Sequence, residues 1–365
     1  MRRLAVVLLS NLAASMALAA PAPTPPASET VQQALLDQDI PPLLADNAIP
    51  SVSIAQIRSG KVVLVAAYGE QSDGVLATPA TLYNAASLTK PLTAEVILRL
   101  ASKGEISLDE PMDSYWLDPD IAADPRHALL TPRLALSHRT GFPNWRDSKE
   151  GLKILREPGV KWGYSGEGYQ YVAHFAKNKT GKDFQDLAQI YLFKPMAMTE
   201  TSYTGQDWFE GRIAVPTNAA GKALEPQVSS RFNAADLLYT TAYDYGLFMV
   251  GMLSDQGLSP AIARERGKIQ VSMMDEMCQG KLADSCPPNA GFGLGWQILA
   301  FKDETLLMHT GKDEGVFTFA YLNRTTRDGA VILTNSDNGY KIIRPVLERL
   351  NSSQAFLRFL GGQMQ

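Results

Sequence analysis

SVSIAQIRSGKVVLVAAYG, residues 51–69, carries two runs of β-branched and small apolar residues joined at Ser59-Gly60. The runs, 51–58 and 61–69, alternate imperfectly, and the Ser-Gly step between them is a turn signal, so the stretch predicts an antiparallel hairpin. A hairpin cannot satisfy its outer backbone groups alone, so it needs further strands. These come from the far end of the chain. After Gly291, FGLGWQILAF (292–301), TLLMH (305–309), GVFTFAYLN (315–323) and GAVILTNS (329–336) are short, rich in β-branched and aromatic residues, and separated by turns such as Lys302-Asp303 and Asp328-Gly329.

Between these blocks the texture is helical. A helix starting at Ser87 or Thr89 has an apolar face of Ala94, Val96, Ile97, Leu98, Leu100 and Ala101 and ends near Gly104. Residues 166–180, 184–192 and 234–253 give the clearest further helices, and a last one is expected over about 341–350. The chain shows no internal repeat. The expectation is an α+β protein in two parts: residues 31–91 and 292–361 form one mixed domain with an antiparallel sheet flanked by helices, and residues 92–291 form an all-helical domain inserted in it.

Residues 1–19 read as a secretory signal peptide, with a basic tip of Met1-Arg2-Arg3, an apolar run to Leu18 and the small-x-small site Ala17-Leu18-Ala19. Ser10, Asn11 and Ser15 interrupt that run, which argues against a membrane anchor. Residues 20–30, APAPTPPASET, read as a loose leader. The pattern places the mature protein in the periplasm or outside the cell. Without Arg2 and Arg3 the formal charge of −4 becomes −6, spread without long single-sign runs, which disfavours nucleic acid or an acidic membrane surface as partner. Cys278 and Cys286 can close a small loop in an oxidising compartment or remain two thiols. No histidine or cysteine spacing suits a metal and no phosphate loop is present, so no cofactor is implied.

The chemistry-bearing stretch is YNAASLTKPLT, residues 83–93. If a helix begins at Ser87, Lys90 lies on the same face, and the free N–H groups of the helix start favour an oxyanion beside the serine. A buried amine that is neutral part of the time can take the serine proton. The motif taken singly also suits a helix-start serine with a solvated lysine. Tyr164 in WGYSGEGY (162–169) is a candidate phenolic acid or base or a packed ring, and His309 in MHTGKDEG (308–315) ends a strand.

In this order, Ser87-Leu88-Thr89-Lys90, Tyr164-Ser165-Gly166 and His309-Thr310-Gly311 resemble the three motifs of the penicillin-recognising serine hydrolases. The chain looks most like class C β-lactamases, DD-peptidases and related esterases. LALSHRTGFPNW (134–145), LLYTTAYDYGLFMVGML (237–253) and GFGLGW (291–296) are similar to further family segments, so the likeness covers nearly all of the mature chain. The resemblance implies a β-lactamase/transpeptidase-like fold, Ser87 as acylated nucleophile, and Lys90 with Tyr164 as proton carriers. It implies the N–H groups of Ser87 and Lys312 as oxyanion hole, and His309, Thr310 and Gly311 as substrate-aligning residues. Two departures stand out. Gly166 occupies a position where the family has asparagine, with Glu167 next to it expected as a surface carboxylate. His309 replaces a lysine, so the charge facing an anionic substrate group becomes partial at neutral pH. His138 is read as structural.

GYSGEG is no nucleophile elbow, because Glu167 holds its last position and the surrounding order is not that of an α/β-hydrolase. The function that follows is a secreted serine hydrolase acting through an acyl-enzyme on a small-molecule or peptide substrate: a β-lactam, a D-amino-acid peptide or a small ester. A receptor that is acylated without turning over is the alternative.

Overall fold

The computed structural model of the chain describes residues 27–363. The signal peptide read over residues 1–19 lies outside them. Its strands are β1 Ser51–Arg58, β2 Lys61–Ser72, β3 Val75–Leu76, β4 Tyr83–Asn84, β5 Tyr239–Thr240, β6 Val271–Ser272, β7 Asn289–Phe292, β8 Gln297–Ala300, β9 Thr305–Asp313, β10 Val316–Asn323 and β11 Asp328–Thr334. Nine of them form one sheet in the order β3-β2-β1-β11-β10-β9-β8-β7-β6, and β4 pairs with β5 separately. Neighbouring strands run antiparallel: Val52 lies opposite both Tyr68 and Thr334, Ala320 opposite His309, and Met308 opposite Gln297. The two ends of the chain thus meet at the β1–β11 pair in mid-sheet.

Both faces of this sheet are covered, which explains the imperfect alternation of β1. Ala55 and Ile57 of β1, Ala320 and Leu322 of β10, and Val331 and Leu333 of β11 face the helical side with Leu92, Val96, Phe248 and Trp296. Val52, Ile54, Phe319, Tyr321, Ala330 and Ile332 face the other side, against helices Ala27–Asp46, Tyr340–Arg349 and Gln354–Gln363. Strand side chains point to alternate faces, so a strand buried on both reads as a nearly continuous apolar run.

Four expectations need correction. Helix Ala27–Asp46 takes in the end of the leader and runs through Pro41 and Pro42, a pair that reads as a helix breaker. Leu36, Ile40 and Leu44 recur at helical spacing and are buried, while both prolines are exposed. Burying each such side chain contributes about 1.5–3 kcal/mol, the same scale as the roughly 3 kcal/mol cost of an interior proline. Secondly, the sheet takes β6 and β7 from the stretch read as all-helical. Thirdly, FGLGWQILAF is not one strand: β7 and β8 turn on each other through the bond from Gly293 N–H to Trp296 O at 2.7 Å. Fourthly, the helix read over 234–253 is confined to Ala242–Leu253. The carbonyls of Ala234 and Ala235 accept instead from Thr93 Oγ1 at 2.6 Å and Lys90 Nζ at 2.9 Å. Those tertiary bonds draw the carbonyls away from the helical pattern.

Cys278 and Cys286 are joined in a disulfide, with Cα atoms 5.7 Å apart. Among the described residues no helix is long and apolar enough to cross a membrane.

Candidate functional site

The site is built where the start of helix Thr89–Ser102 meets β9. A single 3-10 turn, Ala86–Leu88, precedes that helix. Ala86 has φ +46°, a left-handed conformation that costs a non-glycine residue free energy and persists only under surrounding constraint. The constraint is visible. Ala86 N–H donates to Asn84 Oδ1 at 2.8 Å, Ala85 N–H to Leu238 O at 2.7 Å, and Thr318 Oγ1 to Ala85 O at 2.8 Å. The turn leaves Ser87 half-buried while Ala86, Leu88, Thr89 and Lys90 are buried. Gly311 is the other half of this contact. A Cβ there would lie 2.1 Å from Thr318 Oγ1, 2.6 Å from Ala85 O and 3.0 Å from Ser87 N, so only glycine lets β9 approach the turn this closely. The next residue on β9 is Lys312.

Lys90 Nζ lies 2.9 Å from Ser87 Oγ and 2.9 Å from Ala235 O, and the residue is wholly buried. Burial pulls the ammonium down to about 7, against the opposing pull of the Asp236 carboxylate. Asp236 is itself raised, by burial and then by Asp313. When Nζ is neutral its lone pair can accept the serine hydroxyl's hydrogen. Tyr164 lines the same cleft as Ser87, and burial holds its phenol well above the ordinary value, so at neutral pH it is a proton donor. Its ring lies 4.8 Å from Nζ.

Against Tyr164 lies the His138 ring, tilted by 31° with ring centroids 4.3 Å apart. Its Nδ1 accepts the Ser165 N–H at 3.0 Å, and burial keeps the ring neutral. It packs against the tyrosine ring, in agreement with its structural reading. Ser165 caps helix Gly166–Thr180: Oγ accepts the Gly168 N–H at 3.0 Å and donates to Pro143 O at 2.7 Å. Ser165→Ala leaves both partners without that hydroxyl, so urea unfolding should show a loss of about 1–2 kcal/mol at unchanged slope.

Two expectations about charge change here. His309 is buried, and burial together with the charge on Lys90 pushes it down to about 3, so it is neutral rather than partly charged at pH 7. Its Nδ1 lies 2.7 Å from the Thr310 carbonyl and donates to it, which leaves Nε2 as an acceptor with no partner among the described residues. Glu167 is not on the surface. It is 5% exposed and takes the Arg146 guanidinium at 2.8 Å, facing a second cavity lined by Trp116, Asp118, Asp120 and His174.

Ser87, Tyr164, His309, Thr310 and Lys312 line one cleft of about 340 Å³, with Asn144, Trp162, Met273, Phe292, Gln297 and Met308 completing its walls. The structure therefore brings together the residues that the three motifs name, with Gly311 beneath and Lys90 behind. Sequence reading missed the completing six, and it missed Asp236. Asn144, Trp162, Phe292 and Met308 stood in stretches already singled out, LALSHRTGFPNW, WGYSGEGY, GFGLGW and MHTGKDEG, without being read as lining residues, and Met273, Gln297 and Asp236 carry no local signal. The Oδ1 of Asn144 accepts the Gly166 N–H at 2.9 Å, so its NH₂ is the end left for a ligand.

Residues 36–350 match the beta-lactamase family. The chain belongs to that family. Protein flp of Staphylococcus aureus is 25% identical over 329 residues, an alignment covering 83% of this chain and 63% of flp. The chain thus spans less than two thirds of the length of such curated relatives. Among solved structures, the octameric penicillin-binding protein homologue of Pyrococcus abyssi superposes with a TM-score of 0.72 at 20% identity, covering 88% of this chain and 78% of that one. The penicillin-binding protein of Bacillus halodurans gives 0.69 at 17% identity, covering 86% and 99%. At these identities the likeness carries the fold, a large antiparallel sheet flanked by helices. Family membership accounts for the order of the three motifs along the chain.

Proposed function

We propose that this member of the family is an exported serine hydrolase that forms an acyl-enzyme on Ser87 from a small ester, an amide or a D-amino-acid peptide. The observation that carries the reading is the 2.9 Å separation of Ser87 Oγ from a wholly buried lysine amine at an open cleft. In this mechanism Ser87 Oγ attacks the substrate carbonyl carbon while its proton passes to neutral Lys90 Nζ. The backbone N–H groups of Ser87 and Lys312 receive the negative oxygen. Collapse breaks the C–N or C–O bond, Tyr164 hands a proton to the leaving group, and Lys90 restores the phenol. Water then attacks the ester carbonyl carbon, its proton passes through the same pair to Ser87 Oγ as the C–Oγ bond breaks, and the acid is released with the serine hydroxyl restored.

A neutral His309 offers no fixed cation to a substrate carboxylate, which leaves Lys312, among the described residues, as the cation lining the cleft. That balance favours uncharged esters and amides over substrates anchored by a carboxylate. The test is mass spectrometry after exposure to a fluorophosphonate, a penicillin and short-chain p-nitrophenyl esters, with peptide mapping of the added mass. Mass on Ser87 from an ester or penicillin, followed by its loss and steady product release, supports the reading. A stopped-flow burst with no steady phase would instead make the protein an acylated receptor. Tyr164→Phe should slow acylation about a hundredfold or more, the usual scale for a lost proton-transfer group, as read by single-turnover kinetics.

A further inference from the structure

Lys90 is 0% exposed, yet one of the rings facing its amine belongs to a residue that is 43% exposed. The Trp145 ring centroid lies 5.9 Å from Nζ, compared with 4.8 Å for Tyr164 and 6.0 Å for Tyr169. The two tyrosines are held from behind. Tyr169 is fully buried, with its hydroxyl donating to Leu136 O at 2.9 Å, and Tyr164 rests on His138. Trp145 comes from a surface loop and has solvent beyond it.

The indole fits because residue 166 has no side chain. A Cβ on Gly166 would stand 2.7, 2.9 and 3.0 Å from three atoms of the Trp145 ring. The loop is also tied to the start of helix Gly166–Thr180 on both sides of the tryptophan. Before it, Asn144 Oδ1 and O accept the N–H groups of Gly166 and Glu167 at 2.9 and 3.0 Å. After it, Arg146 donates its N–H to Glu167 at 3.1 Å and its guanidinium to Glu167, Asp118 and Asp120 at 2.8, 2.9 and 3.1 Å.

We propose that Trp145 is a positioning residue for the reaction: seated on Gly166 and pinned by the Arg146–Glu167 clamp, its indole roofs the Lys90 amine and keeps water from it. The inference rests on Lys90 being the base. An amine kept dry loses more by being charged than one in contact with water, so the roof keeps the neutral, proton-accepting form within reach at neutral pH. The titratable groups around Nζ are Asp236, His138, His309, Tyr164 and Tyr169. The Asp236 carboxylate favours the ammonium, both imidazoles are held neutral by burial, and both phenols are held protonated. Trp145 brings no charge of its own, and the charge on its neighbour Arg146 is engaged by three carboxylates. Its ring face attracts a cation only weakly at 5.9 Å, and the loss of water around the amine outweighs that pull.

The experiment is the pH dependence of kcat/KM for p-nitrophenyl acetate, which carries no titrating group, in the parent, Trp145→Ala, Trp145→Phe and Gly166→Ala proteins. Opening the roof lets water solvate the ammonium and raises the Lys90 pKa, so the acidic limb of Trp145→Ala should move to higher pH by about one unit. Trp145→Phe should fall between it and the parent. Gly166→Ala should shift the limb in the same direction by displacing the indole, and should add little in the Trp145→Ala background. A limb that superimposes on the parent's in a folded, fluorophosphonate-labelled Trp145→Ala protein overturns the roof. The phenylalanine variant decides the matter if the alanine one does not fold. Failure of the parent itself to label at Ser87 would defeat the hydrolase reading instead, so the two outcomes are separable.

Discussion

Ser87→Ala protein should take up no mass from a fluorophosphonate, a penicillin or a p-nitrophenyl ester, and its steady turnover should fall to background. Among the described residues the hydroxyl bonded to the Lys90 amine is that of Ser87, and those of Thr89 and Thr93 are buried, the latter bonded to Ala234 O and facing Tyr203. The fold should survive, because Ser87 is half-buried and Lys90 keeps the Ala235 carbonyl as partner. An unchanged far-ultraviolet circular dichroism spectrum and melting temperature would confirm that the loss is chemical. Turnover near the parent rate in this variant would remove the nucleophile assignment.

Removing the amine should be nearly as severe. Lys90→Ala should slow acylation by about a hundredfold or more, as expected when a serine hydroxyl loses its general base. The pH profile separates this from loose packing. With the neutral amine as the proposed base, kcat/KM of the parent should rise as pH passes upward through about 7, the value to which burial brings the ammonium. The residual activity of Lys90→Ala should lack that limb. If the variant keeps both the limb and a rate within a few-fold of the parent, the titrating base is another group. The oxygen and the amine act as a unit, so the combined Ser87→Ala and Lys90→Ala protein should be no slower than Ser87→Ala alone.

The parts of the fold that were legible are those whose signal is local. The 51–69 hairpin, the strands after Phe301 and the helix following Ser87 announce themselves by periodicity and turn residues. The unread parts depend on distant partners. Helix Ala27–Asp46 contains two prolines and is held by a sheet face assembled from both halves of the chain. The 234–241 stretch has helical composition, but its carbonyls are spoken for by Thr93 and Lys90, more than 140 positions away. The site divides in the same way. Ser87, Lys90, Tyr164 and His309 could be found because their motifs occur in a recognisable order. Asn144 and Trp145 stood in a recognised stretch, but that they and Asp236 reach the same place depends on loop paths that no spacing encodes.

The sequence by itself determined the residue types available for chemistry, the three-residue step that sets a lysine on the same helical face as a serine, and a glycine where β9 must touch the serine turn. Tertiary structure decided their protonation. Charge state depends on how much water a group keeps, and that is set by what packs around it: the Lys90 ammonium is pulled down because burial among aromatic rings from separate segments takes its water, His309 loses its charge in the same enclosure, and Glu167 is drawn inward by Arg146. Those neighbours meet only when the chain has folded.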